Sequence, residues 1–267
     1  MNADIHQQVI DSIREVGKFQ LTHFRKVSSD AVDMKAAKET VSFVDVESEK
    51  LLKSALKKIL PEAGFLGEEL GSEGDQNFLW IVDPIDGTTN YLNGLDHFSI
   101  SVALVKEGIP IYGVVYQPYT DEYLSATKGQ GAMRNGEPIS LSNLELTSQH
   151  ALFCTGFPYR SEDLNDAFFE AANQVLRLGR GMRRTGSAAL DLAYLGMGWY
   201  GGFWESDLQP YDVAAAMVMM NEAGLSITNH LGEPYNMFEH RMMVAGPPLV
   251  HRDLLEIISK CYKQVVS

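Results

Sequence analysis

The sequence has few cysteines and few basic residues, and each shortage excludes a class of function. Its 267 residues contain two cysteines, Cys154 and Cys261. Neither lies in a Cys-x-x-Cys pair or beside a histidine cluster, so we expect no zinc–thiolate site and a reducing compartment. Lys and Arg number 22 against 35 Asp and Glu, which gives a formal net charge of −13. Because broad binding to nucleic-acid phosphates needs clustered Lys and Arg, we do not expect it here.

Long apolar segments are also missing. No uninterrupted apolar stretch approaches the ~20 residues that a membrane-spanning helix needs. Residues 1–6 lack the basic start and apolar core of a secretory signal. We therefore expect no membrane association and predict a cytoplasmic protein. The length leaves room for one large core or for two packed subdomains, and no linker separates two halves.

Several common catalytic signatures are absent as well. The seven histidines are scattered along the chain, and none shows HExxH or His-x-His spacing. There is no G-x-S-x-G motif, no P-loop and no Rossmann glycine fingerprint. Catalysis by a serine or cysteine nucleophile therefore has no support, and the absence of EF-hand spacing disfavours a structural calcium module.

Apolar periodicity predicts an α/β protein without internal repeats. We expect helices over 4–26, 42–60, 164–178, 186–195, 212–223 and 249–262. We expect strands over 78–82, 100–105, 111–117, 122–127, 151–155, 202–205, 225–228 and 242–245, with an antiparallel meander between 100 and 127. Pro84 is expected to end the strand at Val82, because it has no amide proton to donate. Asn135-Gly136 predicts a tight turn.

Asp83 and Asp86 are the leading candidates for a functional site. They belong to the segment DPIDGTTN, which directly follows the apolar run 78–82. Two carboxylates at the end of a buried strand repel each other unless a positive charge lies between them. Mg²⁺ suits this position because it prefers oxygen ligands and leaves coordination sites open for phosphate. The alternative is that both residues only cap a turn or a following helix.

Two further acidic sites also allow either metal binding or an ordinary structural role. Glu68 and Glu69 follow the short apolar run Phe65-Leu66, and adjacent glutamates are otherwise ordinary solvated surface. Asp212 opens an apolar helix, where a helix cap explains it equally well. A carboxylate has several acceptor positions, so capping and metal binding do not exclude each other.

Two more positions are candidates for contacts with a substrate. Arg183 and Arg184 precede Gly186 and a predicted helix start, where they either face an anion or are surface charge. Glu205 follows the aromatic pair Phe203-Trp204. Its carboxylate either accepts hydrogen bonds from a polyol or only ends a strand.

Taken together, these segments resemble the inositol monophosphatase family. The resemblance rests on GEE at 67–69, WIVDPIDGTTN at 80–90, and DVAA at 212–215 with EAG at 222–224. Lesser similarities lie at 113–116, 128–132 and 184–189. The motifs occur in the expected order over nearly the whole chain, so a chance match is not expected.

The resemblance implies a fold and an activity. The fold would be a layered αβαβα sandwich of the sugar-phosphatase type, as one domain over 1–267 with an N-terminal α+β part (about 1–148) and a C-terminal α/β part (about 149–267). The activity would be Mg²⁺-dependent, lithium-sensitive hydrolysis of myo-inositol 1-phosphate, or a related polyol or sugar phosphate, by a metal-activated water. Fructose-1,6-bisphosphatase, nucleotide 3'-phosphatase and histidinol-phosphatase activities are the alternatives. A homodimer is expected.

The resemblance also implies residue roles. Glu68, Asp83 and the main-chain carbonyl of Ile85 would hold one metal, and Asp83, Asp86 and Asp212 a second, with two to three ions per site. Catalysis would use Glu68 and Thr88 to position the attacking water. The phosphate would contact Asp86, Gly87 and Thr88. The polyol would be lined by Ala188, Glu205 and Asp212.

The sequence departs from the family pattern at three positions. Leu70 stands where the family usually has Ser, and Tyr211 where it has Trp. Gly201 replaces an Asp common four residues before Glu205, which puts polyol specificity in question. An acid usual upstream of the first motif corresponds to Glu39 or Asp45. A non-catalytic scaffold is a further hypothesis, but it predicts lost metal ligands, and all four acids are present.

Overall fold

Two large β-sheets and three layers of helices alternate in the described part of the chain. The computed structural model describes residues 1–26, 32–36, 39–139 and 144–262. Its helices are α1 (Ala3–His23), α2 (Phe43–Ile59), α3 (Thr88–Leu92), α4 (Asn165–Leu178), α5 (Ala188–Gly196), α6 (Pro210–Glu222) and α7 (Pro248–Tyr262).

The strands fall into a hairpin and two sheets. The hairpin is β1 (Val32–Ala36) with β2 (Glu39–Ser42). The first sheet contains β3 (Gly64–Gly67), β4 (Gly71–Glu73), β5 (Phe78–Asp86), β6 (Ser99–Lys106), β7 (Ile109–Gln117), β8 (Glu122–Thr127), β9 (Ala132–Arg134) and β10 (Glu137–Pro138). The second contains β11 (Leu152–Thr155), β12 (Gly181–Arg183), β13 (Gly202–Ser206), β14 (Ser226–Thr228) and β15 (Met242–Gly246).

The first sheet has eight strands in the order β10-β9-β8-β7-β6-β5-β3-β4. Strands β5 to β8 are antiparallel neighbours, which confirms the predicted meander, and β3 runs parallel to β5. Asn135 and Gly136 join β9 to β10 with φ angles of 51° and 83°. Positive φ at both residues is what a two-residue hairpin turn requires, so the predicted turn is confirmed.

Strand β5 continues through Pro84 to Asp86, so the prediction that it ends at Val82 is wrong. Asp83 pairs with Ser101 and Asp86 with Ser99, and the register shifts between them. Between these two pairs, β5 therefore advances by three residues while β6 advances by two, which is a β-bulge. The missing amide proton of Pro84 is tolerated because a bulge interrupts the regular ladder. The amide of Ile85 instead donates to Asp83 Oδ1 at 2.9 Å.

Helices α1 and α2 cover one face of the eight-stranded sheet. Their apolar residues pack with those of β3, β5, β6 and β7 in one buried cluster. Ser42 caps α2: its Oγ accepts from the amide of Val44, and the Asp45 carboxylate accepts from the amide of Ser42 at 2.9 Å. This is the capping box that the sequence predicts, and it fixes Asp45 at the first turn of α2.

Helices α5 and α6 form the middle layer between the two sheets. In α6 every residue from Asp212 to Met220 is buried, and the helix shares one apolar cluster with strands of both sheets. The second sheet has the order β12-β11-β13-β15-β14, and α4 and α7 cover its outer face. The layers therefore run α, β, α, β, α, which confirms the predicted fold.

Among the described helices, none combines the length and the apolar character that crossing a bilayer requires.

Candidate active site

Three carboxylates from two distant segments of the chain meet where the two sheets adjoin. Asp83 and Asp86 lie on the bulged end of β5, and Asp212 lies in the first turn of α6. Each residue offers one carboxylate oxygen such that the three oxygen atoms lie within 4.8 Å of one another. All three residues are buried, with exposed fractions of 2%, 8% and 8%. The convergence of Asp212 with Asp83 and Asp86, on which the sequence argument depended, is therefore present.

Burial makes this arrangement unfavourable without a counter-charge. Loss of solvent raises the pKa of Asp83 well above its usual range, and the nearby charges of Glu68 and Asp86 raise it further. Burial raises the pKa of Asp86 to about 6 and that of Asp212 to about 8. An all-oxygen, buried and mutually repelling donor set fits a hard divalent cation, because bound charge stabilises the ionised carboxylates.

Glu68 lies beside this cluster, in the turn that joins β3 to β4. It is half-buried, lines the same cavity, and is one of the charges that raise the pKa of Asp83. The buried carboxylate of Glu49 on α2 accepts from the amides of Glu69 at 2.9 Å and Leu70 at 2.7 Å. These two bonds fix the backbone on which Glu68 sits. Leu70 itself is exposed over 37% of its surface and is not among the residues that line the cavity.

Thr88 is held between two oxygen acceptors. Its Oγ1 lies 3.0 Å from Asp45 Oδ1 and 2.9 Å from the carbonyl oxygen of Ile85. The hydroxyl carries one proton, so it donates to one acceptor at a time and keeps lone pairs that can accept a hydrogen bond from a third group. Burial raises the pKa of Asp45. Of the two upstream acids, Asp45 therefore belongs to the site; the side chain of Glu39 lies outside the described residues.

Asp86 is fixed by the N-terminus of α5. Ser187 Oγ and the amide of Ala189 donate to Asp86 Oδ2, the second at 2.9 Å, and the amide of Ala188 donates to Oδ1 at 3.3 Å. These bonds favour the ionised carboxylate and so oppose the effect of burial on its pKa. They also join the middle helix layer to the end of β5.

Gly87 brings the backbone close to this junction. Its φ is 93°, and a Cβ there would lie 3.0 Å from the carbonyl of Gly186 and 3.2 Å from that of His97. Only glycine combines this positive φ with so little space. The turn after Asp86 therefore presents bare backbone to the cavity.

The carboxylates line a cavity of about 190 Å³. All nine predicted site residues are among those that line it: Glu68, Asp83, Ile85, Asp86, Gly87, Thr88, Ala188, Glu205 and Asp212. Phe157, Tyr159, Arg160, Arg184 and Asp191 line it as well. The structure thus brings the predicted residues together, while their individual roles stay predictions.

Glu205 lies in this cavity on β13. A Cβ on Gly156 would lie 1.8 Å from Glu205 Oε1, so the carboxylate occupies space that only glycine leaves open. Burial raises the pKa of Glu205 well above its usual range, and Asp191 raises it further. Asp191 accepts from Thr185 Oγ1 at 2.5 Å, and burial raises its pKa to about 7.

Two departures from the family pattern lie outside the cavity lining. Gly201 is buried, and a Cβ there would meet the Cβ of Ala151 at 2.7 Å. The position is therefore packed against the residue that directly precedes β11. Tyr211 packs against the central apolar cluster, and its carbonyl accepts from Ser101 Oγ at 3.0 Å.

Comparison with protein-family models decides the classification. The model of the inositol monophosphatase family matches residues 2–263. The chain belongs to the inositol monophosphatase family. This membership confirms the resemblance carried by the three acidic motifs.

Relatives within the family have different names. A fructose-1,6-bisphosphatase/inositol-1-monophosphatase of Aquifex aeolicus is 36% identical over 245 residues, which cover 91% of each chain. A Nus factor SuhB of Xylella fastidiosa is 35% identical over 216 residues, 81% of this chain and 78% of that one. The structure of an IMPase from Thermotoga maritima is 30% identical, covers 96% of both chains and superposes with a TM-score of 0.86.

Sequence reasoning missed several residues of this family site. Glu49 and Ser187 carry hydrogen bonds that position the acidic cluster, and Arg160 lies 3.9 Å from Asp212 Oδ2. Asp191 lines the cavity beside Glu205. Ser187 and Asp191 fall in or beside the segment 184–189, so that similarity was a usable signal. For Glu49 and Arg160 the sequence contained no such signal.

Proposed function

We propose that this family member is a Mg²⁺-dependent phosphomonoesterase that hydrolyses myo-inositol 1-phosphate or a related polyol phosphate. The observation that carries the proposal is the buried convergence of Asp83, Asp86 and Asp212 at an open cavity. A structural metal site would be closed, whereas this one adjoins space for a small substrate.

Two to three Mg²⁺ ions are proposed for the site. Glu68, Asp83 and the carbonyl of Ile85 would hold one, and Asp83, Asp86 and Asp212 a second. Bound Mg²⁺ would supply Lewis-acid chemistry, which neutralises phosphate charge and makes water more acidic. It would also lower the pKa values that burial raises, so that the carboxylates are ionised at neutral pH.

The chain's own residues account for proton transfer. Thr88 Oγ1 donates a hydrogen bond to Asp45 Oδ1, so its lone pairs can accept a hydrogen bond from the attacking water. As that water gives its proton to Thr88 Oγ1, the hydroxyl proton of Thr88 would pass to the Asp45 carboxylate, which becomes a carboxylic acid. Asp45 then acts through Thr88, because it is the acceptor that orients the hydroxyl. With Glu68 on the other side, Thr88 would hold the attacking water in line with the phosphorus.

The remaining residues would bind the two halves of the substrate. Bare backbone at Gly87, with Asp86 and Thr88 beside it, would contact the phosphate. Ala188, Glu205 and Asp212 would line the polyol, and carboxylate oxygens accept hydrogen bonds from hydroxyl groups. Fructose-1,6-bisphosphatase activity is the first alternative, supported by the name of the Aquifex relative. Nucleotide 3'-phosphatase and histidinol-phosphatase activities follow it.

A phosphate-release assay over these four substrates, with Mg²⁺ and with a chelator, tests the proposal. We expect Mg²⁺-dependent release from at least one of them. Asp83→Asn should lower kcat at least about a thousandfold, because it removes a ligand proposed to serve both metals. The control is Asp11→Asn, an exposed acid on α1 whose loss should change nothing. Phosphate release at background level on every substrate would refute the proposed enzymatic activity.

A partner-binding role is a second candidate, because one relative is named a Nus factor. In a scaffold, Asp83→Asn would leave partner binding intact while any hydrolysis is lost. The presence of Glu68, Asp83, Asp86 and Asp212 favours the enzyme, since a scaffold has no use for three converging acids with a fourth beside them. We also propose that the protein is cytoplasmic, is inhibited by Li⁺ and forms a homodimer. Activity measured with added Li⁺ would test the inhibition, and light scattering on eluted protein would test the dimer.

A further inference from the structure

We propose that Asn90 is a positioning residue that fixes the geometry of Asp86, one of the proposed Mg²⁺ ligands. Asn90 ends the segment DPIDGTTN, and none of the roles proposed above uses it. It is not among the described residues that line the cavity. The inference rests on the proposed function and adds to it a residue that acts only through Asp86.

The side-chain amide of Asn90 joins two loops. Asn90 lies in the short helix α3, with 5% of its surface exposed. Its Nδ2 atom donates to the carbonyl of His97 at 2.7 Å and to that of Thr185 at 2.9 Å. Because both partners are acceptors, the amide nitrogen must face them, and its two protons serve the two bonds. We call this pair of bonds the amide bridge.

Each of the two carbonyls lies two residues before a serine. His97 precedes Ser99 at the start of β6, and Thr185 precedes Ser187, the N-cap of α5. The two serine hydroxyls lie 3.2 Å apart, and the Ser187 hydroxyl donates to Asp86 Oδ2. The amide bridge and the serine contact therefore hold the same two segments together at two points, the second of which reaches the metal ligand.

The segment before α5 leads to further donors for Asp86. Directly after Ser187, the amides of Ala188 and Ala189 donate to its two carboxylate oxygens. These bonds depend on where α5 begins, and the amide bridge fixes the backbone just before that point. A carboxylate held in this way presents its remaining lone pairs in one direction, which suits an ion that demands near-octahedral geometry.

The two segments also pack closely at the amide bridge. A Cβ on Gly186 would lie 2.9 Å from Asn90 Nδ2. A Cβ on Gly87, the residue after Asp86, would lie 3.0 Å from the carbonyl of Gly186. With so little free space, a displacement of one segment shifts its neighbour. Loss of the amide bridge should therefore reach Asp86 and weaken metal binding.

The test measures Mg²⁺ binding by isothermal titration calorimetry without substrate, for the wild type and Asn90→Leu. Leucine keeps the branched skeleton of the side chain but has no N–H group. We expect the Kd for Mg²⁺ to rise about 10- to 100-fold, as for other residues that orient a metal ligand without touching the metal. The number of ions bound per chain at saturation should stay the same.

Kinetics on myo-inositol 1-phosphate supply a second readout. The Mg²⁺ concentration that gives the half-maximal rate should rise by the same factor as the Kd. At saturating Mg²⁺, kcat should change far less, because the amide bridge acts on the metal ligand and not on the reacting atoms.

Asn93→Leu is the matched control. Asn93 is exposed directly after α3, and its Nδ2 atom also donates to a backbone carbonyl, that of Thr89 at 2.8 Å. This variant should bind Mg²⁺ as the wild type does. Asn90→Ala adds no bulk, so it replaces the leucine variant if that one does not fold, and it should raise the Kd by a similar factor. Thermal melting of each variant shows whether it folds.

A double variant tests whether Asn90 acts through the segment that carries Ser187. Ser187→Ala alone should also raise the Kd, because it removes a donor to Asp86. If both residues act on Asp86 through this segment, combining Ser187→Ala with Asn90→Leu should raise the Kd by less than the product of the two single effects. A rise equal to that product would show independent action and overturn the inference.

Failure of this inference and failure of the proposed function are distinguishable. An unchanged Kd in Asn90→Leu would overturn the inference and leave the proposed metal site standing. So would fewer ions per chain at the wild-type Kd, because that result indicates partial unfolding. A wild type that binds no Mg²⁺ would overturn both proposals. Wild-type Mg²⁺ binding with the expected effect of Asn90→Leu, but without hydrolysis of any substrate, would overturn the phosphatase alone.

Discussion

At the scale of single residues, the decisive feature is that acids are buried with few counter-charges. Arg160 is a cation near Asp212, and its charge offsets only part of the rise that burial causes in the pKa of Asp212. Without a bound cation, burial therefore favours the protonated form of these carboxyls. Binding of a cation and release of those protons are coupled.

This coupling predicts that Mg²⁺ binds more tightly as the pH rises. The raised pKa values of Asp86 (about 6) and Asp212 (about 8) mean that both carboxyls are protonated below that range and ionise through it. Because the cation binds the ionised form, its affinity should increase between about pH 6 and pH 8, with proton release. Calorimetry in buffers of different ionisation enthalpy measures both. An affinity that is flat over this range would contradict the assignment.

Thr88 offers a second residue-scale prediction. Thr88→Val keeps the shape of the side chain but removes the hydroxyl that contacts Asp45 and the carbonyl of Ile85. We expect kcat to fall about 10²- to 10⁴-fold with little change in KM, as for loss of a group that positions and deprotonates water. Thr22→Val, at an exposed position of α1, is the matched control. An equal loss in both variants would exclude the role of Thr88.

At the scale of elements, long periodic segments were predictable and irregular ones were not. The predicted start of α2 at Ser42 is correct because the capping residues are local in sequence. Helix α6 begins at Pro210, two residues before the prediction, because the amide of Gln209 is capped by Asp212 at 2.7 Å. Short strands such as β12 depend on pairing with distant strands, and no local pattern indicates them.

The cap of α2 gives a prediction at this scale. Ser42→Ala removes the acceptor for the amide of Val44 and the donor to Asp45. We expect the free energy of unfolding to fall by about 1 kcal/mol. Activity should fall as well, because Asp45 loses a bond that orients it toward Thr88. Urea denaturation measures the first effect and phosphate release the second.

Ser54→Ala is the control for that substitution. Ser54 is exposed in the interior of α2, where alanine is the better helix former. The variant should be as stable as the wild type or slightly more so, with unchanged activity. A destabilisation equal to that of Ser42→Ala would show that capping is not the cause.

At the scale of the whole molecule, the site exists because distant segments meet. The resemblance of the motifs to the inositol monophosphatase family was enough to predict the five layers and nine residues that line the cavity. The bonds from Ser187 to Asp86 and from Thr88 to Asp45 join residues far apart in sequence. Such contacts follow from how α5 and α2 pack on the sheets, which no local pattern contains.

We propose that residues 1–267 form a single cooperative domain. Helix α6 is buried between both sheets and shares one apolar cluster with them, so neither part keeps its core without it. The metal-free protein should therefore unfold in one transition, with calorimetric and van't Hoff enthalpies in agreement. Two resolved transitions, one for each sheet, would show that the parts about 1–148 and 149–267 are separate domains.

The bulge in β5 has a consequence for how the two aspartates come to share one metal. In an uninterrupted strand, residues an odd number apart project from opposite sides of the sheet, so 83 and 86 would point away from each other. The extra residue in the bulge brings both side chains to the same side of the sheet. Pro84 has no amide proton for a regular ladder, so regular pairing cannot replace the bulge at this point. One backbone irregularity thus lets a single strand contribute two carboxylates to the same point in space.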